Sequence, residues 1–363
     1  MRVASIVGAR PQFIKCAPVS NELRKEHEEI LIHTGQHYDY EMSKLFFDEL
    51  GIPEPDYNLG VGSASHGEQT GKMLIEIEKV LMEEKPDVVL VYGDTNSTLA
   101  GGLASVKLHI PTGHVEGGLR SFDRSMPEEI NRVLTDHLSN LLFVPTKRAA
   151  ENLKKEGISN GVYLVGDVMY DVLKRSIKVA EKSKIMEKLG ITPGEFFLAT
   201  IHRPSNTDNA KNLSNILEAF SEIKEKIVFP VHPRTLNFIK KHDLEKKIGK
   251  NILVIKPVGY FDFIWLEKNA KKILTDSGGI QKEAYLLKVP CITLRENTEW
   301  IETIKDGWNV LVGADKEKIV DAAAHFKPKG KQRNLFGDGN ASKKIVNILD
   351  EHLSEVNRST MML

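Results

Sequence analysis

The sequence predicts an α/β protein of two Rossmann-like domains, each a doubly wound parallel sheet, facing a central cleft. Three observations lead there. Short apolar runs alternate with longer segments of helical period along all 363 residues. Runs such as Val88-Val89-Leu90-Val91 lack polar alternation, as strands buried on both faces should. The strand–helix order is completed twice, once in each half, and the chain is too long for one ordinary core. In open parallel sheets ligands bind beyond the carboxyl ends of the strands, so two facing sheets would enclose one deep cleft.

Taken in order, the first strand covers 3–8 and breaks at Gly8-Ala9-Arg10-Pro11, before a helix over 14–25. Strands follow at 30–34, 88–92, 112–115, 141–144 and 162–165, with helices over 68–83, 97–108 and 128–138 among them. The last of these helices starts after Pro127, where proline and the acidic pair Glu128-Glu129 both suit a first turn. The second set of strands covers 197–201, 227–231, 252–255, 272–275, 291–294 and 309–312, with helices over 210–225 and 279–287. A lysine-rich helix near 170–188 bridges the halves. A polar loop, 326–340, leads to a final helix over 342–353 that is expected to pack across a domain boundary. The domains are drawn as 1–168 and 169–340, followed by the C-terminal helix segment 341–363.

Composition narrows the function. Lys plus Arg and Asp plus Glu are equal at 50 each, so there is no electrostatic footprint for nucleic acid or anionic membrane. Two cysteines, Cys16 and Cys291, are too few for a disulfide framework or a cysteine zinc site and read as core residues. The N-terminal residues read as a strand rather than a signal peptide, and no apolar run reaches bilayer length. A cytoplasmic location is the expectation. The chain has no Gly-x-Gly-x-x-Gly after the first strand, no P-loop, no Asp-x-Asp, no His-Glu-x-x-His and no Gly-x-Ser-x-Gly. A metal site is therefore not expected.

The chemistry concentrates in the loops that follow strands. The richest is Thr275-Asp276-Ser277-Gly278-Gly279-Ile280-Gln281-Lys282-Glu283-Ala284. Its glycines let a bulky group approach the backbone, and the first helical turn offers N–H groups and a positive dipole end to an anion. Ser277 adds a hydroxyl, and Glu283 stands one turn further in, where a carboxylate can accept from sugar hydroxyls. A plain strand-to-helix turn capped by Ser277 is the simpler reading of the same residues. Arg10 and Lys15 place two cations after the first strand. Gly93-Asp94-Thr95-Asn96-Ser97-Thr98 carries more polar groups than one helix cap requires. Asp94, Glu116 and Glu128 all come from loops at one edge of one sheet. Carboxylates so gathered repel one another, which suits at least one of them for proton transfer. In the second half, His202-Arg203 and His232-Pro233-Arg234 close two strands, Phe261 and Phe263 offer aromatic faces or core packing, and Arg295–Trp300 is equally loaded.

Together these loops resemble the non-hydrolysing UDP-N-acetylglucosamine 2-epimerases. The residues that carry the resemblance are Gly8-Ala9-Arg10-Pro11, Thr34-Gly35-Gln36-His37, Gly93-Asp94-Thr95, His114-Val115-Glu116-x-Gly118-Leu119-Arg120 and Pro127-Glu128-Glu129-x-Asn131-Arg132. They continue with Gly166-Asp167, His202-Arg203, His232-Pro233 and Thr275–Ala284, in the right order over nearly the whole chain. The resemblance implies a glycosyltransferase-B-like fold and reversible conversion of UDP-GlcNAc to UDP-ManNAc without a cofactor. UDP leaves as the C2 proton is lost, giving 2-acetamidoglucal, and adds back as C2 is reprotonated on the other face. It implies that the first domain carries the acid/base set Asp94, Glu116 and Glu128, and that His202 assists UDP departure. It implies that Arg10 and Lys15 lie near the nucleotide or its phosphates. The second domain would hold UDP, with Ser277, Gly278 and Gly279 on the diphosphate, Glu283 on the ribose and Phe263 at the uracil. Gln36 and His37 match part of a second, activating UDP-GlcNAc site, and a homodimer is implied.

Two positions depart from the bacterial pattern: Val258 replaces a glutamine and Trp300 replaces an arginine. Residues 298–300 look more like archaeal members. A hydrolysing epimerase releasing free ManNAc, a retaining glycosyltransferase and a nucleotide-sugar sensor without turnover are the competing readings.

Overall fold

The computed structural model describes residues 1–36 and 51–361, with the side chains of Arg10 and of residues 353–361 outside that description. The chain forms two compact units, one of residues 1–174 and 334–363 and one of residues 175–333.

The first unit contains β1 (Arg2–Val7), β2 (Glu28–His33), β3 (Tyr57–Asn58), β4 (Val88–Tyr92), β5 (Thr112–Val115), β6 (Leu141–Val144) and β7 (Val162–Leu164). Among the described residues they form one seven-stranded sheet in the order β3-β2-β1-β4-β5-β6-β7, parallel throughout. Every residue of β4 is buried, as its unbroken apolar run requires. Two apolar clusters cover the two faces, one built around Phe13, Leu90, Tyr92 and Phe143 and one around Ile6, Ile32, Met73 and Val91.

The second unit contains β8 (Phe196–Thr200), β9 (Lys226–Pro230), β10 (Ile252–Ile255), β11 (Lys272–Thr275), β12 (Cys291–Thr293) and β13 (Asn309–Leu311). Its sheet runs β10-β9-β8-β11-β12-β13, again parallel. Both orders reverse direction once, between β1 and β4 and between β8 and β11. At such a switch the flanking connections leave to opposite faces and open a crevice at the strands' carboxyl ends. Cys16 and Cys291 are buried and unbridged. Among the described residues no helix is long and apolar enough to cross a membrane.

The division at 168 and 340 differs from the compact units, and the reason is local. Asp167 N donates to the carbonyl of Phe336 at 2.9 Å, and Phe336 is fully buried. The backbones of Gly166 and Gly337, both at positive φ, pack so closely that a Cβ on Gly337 would lie 2.9 Å from the Gly166 Cα. Asp171 then caps the C-terminal helix (Ala341–Met361), accepting from Ala341 N at 3.0 Å, Ser342 N at 2.7 Å and Ser342 Oγ at 2.6 Å. That helix buries Ala341, Ile345, Val346 and Leu349 in the cluster of Phe13 and Cys16. The chain therefore re-enters the first unit at Asn334. The bridging segment is also two helices rather than one, Val168–Ala180 and Ile185–Leu189.

Candidate active site

In the first unit, Asp94 and Glu116, two of the three residues expected to do acid/base work, stand beside the β1/β4 switch. Gly93 follows β4 at φ 67°, a left-handed turn that glycine adopts without strain. The open side of Gly93 is filled by its neighbours: a Cβ there would lie 2.9 Å from Lys15 Nζ and 3.7 Å from Glu116 Oε2. Lys15, in the second turn of the helix Arg10–Leu23, is ion-paired with Glu116, and both side chains are largely buried. Glu116 itself has φ 77°. A non-glycine residue held there is strained, and such strain gathers at working sites.

Asp94 is half-buried and ion-paired with Arg132, whose other nitrogen meets Glu129 at 3.0 Å. Burial opposes the Arg132 charge, but Asp94, then Glu129 and Glu116, outweigh it and hold its pKa above the ordinary value. Asn131 donates to the Asp94 carbonyl at 3.1 Å and to Asn96 Oδ1 at 3.1 Å. The sequence alone suggests carboxylates crowding one another. The structure places a cation against each of the two inner ones, Lys15 on Glu116 and Arg132 on Asp94. Glu128 sits in the exposed first turn of the helix Pro127–Leu138. Its neighbour Glu129 is buried and structural, accepting from Ser121 N at 2.9 Å, Ser121 Oγ at 2.8 Å and Phe122 N at 2.9 Å.

A buried network supports this edge. His114 Nε2 donates to the Gly93 carbonyl at 2.7 Å, and His114 Nδ1 lies 2.7 Å from Asp136 Oδ1. Asp136 also accepts from Gly118 N at 3.0 Å and from Arg120 at 2.6 Å, and Arg120 continues to Glu156 at 2.6 Å. Burial would push the Asp136 carboxyl up, yet His114 and then Arg120 hold it below the usual carboxylate range.

Gln36 accepts from Ser97 N at 3.2 Å and Ser97 Oγ at 2.7 Å, which ties it to the start of the helix Asn96–Lys107. His37 lies outside the described residues, and so does the side chain of Arg10, the first residue of its helix.

In the second unit, β11 passes through Asp276 into the helix Gly278–Leu286, with Ser277 as its cap, accepting from Ile280 N at 3.4 Å. Over Gly279 the space is open, with only Ser277 Oγ within 4 Å of a Cβ position, at 3.8 Å. Gly278 is different: a Cβ there would land on the carboxylate of Glu299. That carboxylate lies 3.0 Å from Arg295 and 3.8 Å from Arg203. Two guanidinium groups thus flank a helix start whose N–H groups already favour an anion. Burial, the largest influence, holds Arg295 below the usual arginine value, against the pull of Glu299.

Glu283 is buried in the same helix, and Phe263 is half-buried in the first turn of Tyr260–Asn269, packed on the cluster that includes Val258. Trp300 is 4% exposed, with the Lys282 ammonium 4.6 Å over its ring, so this departure from the bacterial pattern serves packing. His202, after β8, has a half-exposed side chain with Nδ1 3.4 Å from Asp276 Oδ1. Among the described residues no group of three or more His, Cys, Asp or Glu side chains is placed to hold a metal ion.

A family model described as UDP-N-acetylglucosamine 2-epimerase matches residues 21–350. A Methanococcus maripaludis protein named UDP-N-acetylglucosamine 2-epimerase homolog is 62% identical over 354 residues, covering 96% of this chain and 99% of that protein. The UDP-2,3-diacetamido-2,3-dideoxy-D-glucuronate 2-epimerase of Pseudomonas aeruginosa is 47% identical over 359 residues, with coverage of 96% and 99%. The crystal structure of Methanocaldococcus jannaschii UDP-GlcNAc 2-epimerase in complex with UDP-GlcNAc and UDP aligns at a TM-score of 0.88 and 50% identity, over 97% of this chain and 100% of that one. The two parallel-sheet units are thus of glycosyltransferase-B-like class. With this likeness running along nearly the full length, the chain belongs to the UDP-N-acetylglucosamine 2-epimerase family.

Proposed function

We propose that this protein interconverts UDP-GlcNAc and UDP-ManNAc by eliminating UDP and adding it back, without hydrolysis. The observation that carries the reading is the Asp94–Arg132 and Lys15–Glu116 arrangement around Gly93, two ion-paired carboxylates at a strained sheet switch. In the reaction a carboxylate removes the C2 proton. The C2–H electron pair becomes the C1=C2 bond of 2-acetamidoglucal, and the C1–O pair leaves with UDP. The β-phosphate oxygen then attacks C1 while a protonated acid delivers hydrogen to the opposite face of C2. Asp94, Glu116 and Glu128 form the acid/base set, with Arg132 and Lys15 holding the first two in place. His202 helps the diphosphate leave. Arg10, Ser277, Gly278 and Gly279 bind the diphosphate, joined by Arg203 and Arg295, whose charge Glu299 balances until the anion arrives. By the family resemblance, Glu283 takes the ribose hydroxyls and Phe263 the uracil ring. Gln36 and His37 belong to an activating site for a second UDP-GlcNAc. The cytoplasmic location and the absence of a cofactor are parts of the same proposal.

The test is to incubate the full chain with UDP-GlcNAc alone and follow phosphorus and sugar resonances. UDP-ManNAc in equilibrium with the starting compound is expected, and free ManNAc with UDP would contradict the non-hydrolysing route. The Pseudomonas relative makes UDP-2,3-diacetamido-2,3-dideoxy-D-glucuronate the second substrate to try, and faster turnover of it would move the proposal to that sugar.

We further propose a homodimer. Ile75 and Met82 on the helix His66–Glu84 and Ile130 and Leu134 on Pro127–Leu138 are 46–59% exposed, and both helices pack against Asn96–Lys107. Sedimentation is expected to give a two-chain mass, and Leu134→Glu to give a one-chain mass. A one-chain mass for the unaltered protein would contradict it.

A further inference from the structure

Asp276 closes β11 and is fully buried, and a carboxylate in that position needs a reason for its charge. Its surroundings supply one. β8 and β11 pair side by side, Thr200 against Thr275, so the residues just beyond them meet at the switch point. Oδ1 accepts from His202 N at 3.1 Å and lies 3.4 Å from His202 Nδ1. Oδ2 accepts from Arg203 N at 3.0 Å and from Asn206 Nδ2 at 3.1 Å. Asn206 is itself fixed by donating to the Leu294 carbonyl at 3.0 Å, beyond the end of β12.

The donors are therefore spent on one short loop, and that loop carries His202. A carboxylate needed only to join strands would have no reason to stand beside the imidazole. Here the same oxygen that holds the His202 backbone faces Nδ1. The negative charge holds Nδ1–H toward Asp276, so that in the protonated ring the Nε2–H is the donor turned to a departing group. Carboxylates that orient a histidine through its far nitrogen act in this way at metal and nucleophile sites.

We infer that Asp276 is a positioning residue for His202, fixing the 202–203 backbone and the imidazole's orientation so that Nε2 meets the leaving diphosphate. This rests on the proposed role of His202 in UDP departure.

The test is a double-mutant cycle on the full chain with UDP-GlcNAc as substrate and UDP binding measured separately. His202→Asn is expected to lower kcat by about 10²-fold. Asp276→Asn is expected to lower kcat by about 10–100-fold while UDP affinity is kept, the split that loss of fold alone would not give. In the double variant the loss stays at that of His202→Asn. Losses that multiply, or a UDP affinity that falls in step with kcat, would overturn the inference. Wild-type turnover in His202→Asn would overturn the reading of the site itself, and this inference with it. If Asp276→Asn does not fold, Asn206→Ala removes one donor and leaves the charge. Its smaller loss of kcat must vanish in the His202→Asn background, and persistence there overturns the inference.

Discussion

Asp94→Asn lowers kcat for UDP-GlcNAc by about 10²–10⁴-fold, with the fold intact. The amide keeps the size of the carboxylate but cannot accept the weakly acidic C2 proton. Structural damage is small because Arg132 is not stranded: Glu129 still meets it at 3.0 Å, and Asn131 still donates to the backbone carbonyl of residue 94 at 3.1 Å. The melting temperature should change little while turnover collapses. Turnover close to wild type would remove Asp94 from the mechanism and shift the burden to Glu116 and Glu128.

Asp136→Ala destabilises the first unit by about 3–5 kcal/mol. Its carboxylate is the shared acceptor of His114, Arg120 and Gly118 N, all inside the unit. Its removal leaves the buried His114 and Arg120 without their common hydrogen-bond acceptor, although Arg120 keeps Glu156. Amide exchange in peptides covering 88–144 should accelerate, because His114 also holds the Gly93 carbonyl. The pH dependence has a definite sign. The folded Asp136 carboxyl titrates below its unfolded value. Its contribution is therefore present above the ordinary carboxylate pKa and lost as pH falls through the lower folded one. Asp136→Asn should flatten this part of the acid limb, and an unchanged acid limb would show that the network carries little of the stability.

Both effects depend on pairings that the sequence could not display. The strands were legible because fully buried parallel strands are unbroken apolar runs, as in β4 and β8. β3 escaped notice because Tyr57 and Asn58 are too few to form a pattern. The return of the chain to the first unit was invisible because it rests on a carbonyl, two facing glycines and the Asp171 cap rather than on periodicity. At the site, Asp94, Glu116, His202 and Ser277 stood out as polar residues directly after strands. Their pairings did not. Lys15 and Glu116 are 101 residues apart, Asp94 and Arg132 38, and His202 and Asp276 74. Glu299 and Arg295 read only as a loaded loop, with nothing in their spacing to bring them to Gly278.

The most direct measurement is turnover of UDP-GlcNAc in deuterated water, with the nucleotide sugars examined by NMR. If carboxylates of the first unit exchange hydrogen at C2 while UDP departs and returns, UDP-ManNAc forms carrying deuterium at C2. UDP-ManNAc that retains the original hydrogen at C2 would contradict the account.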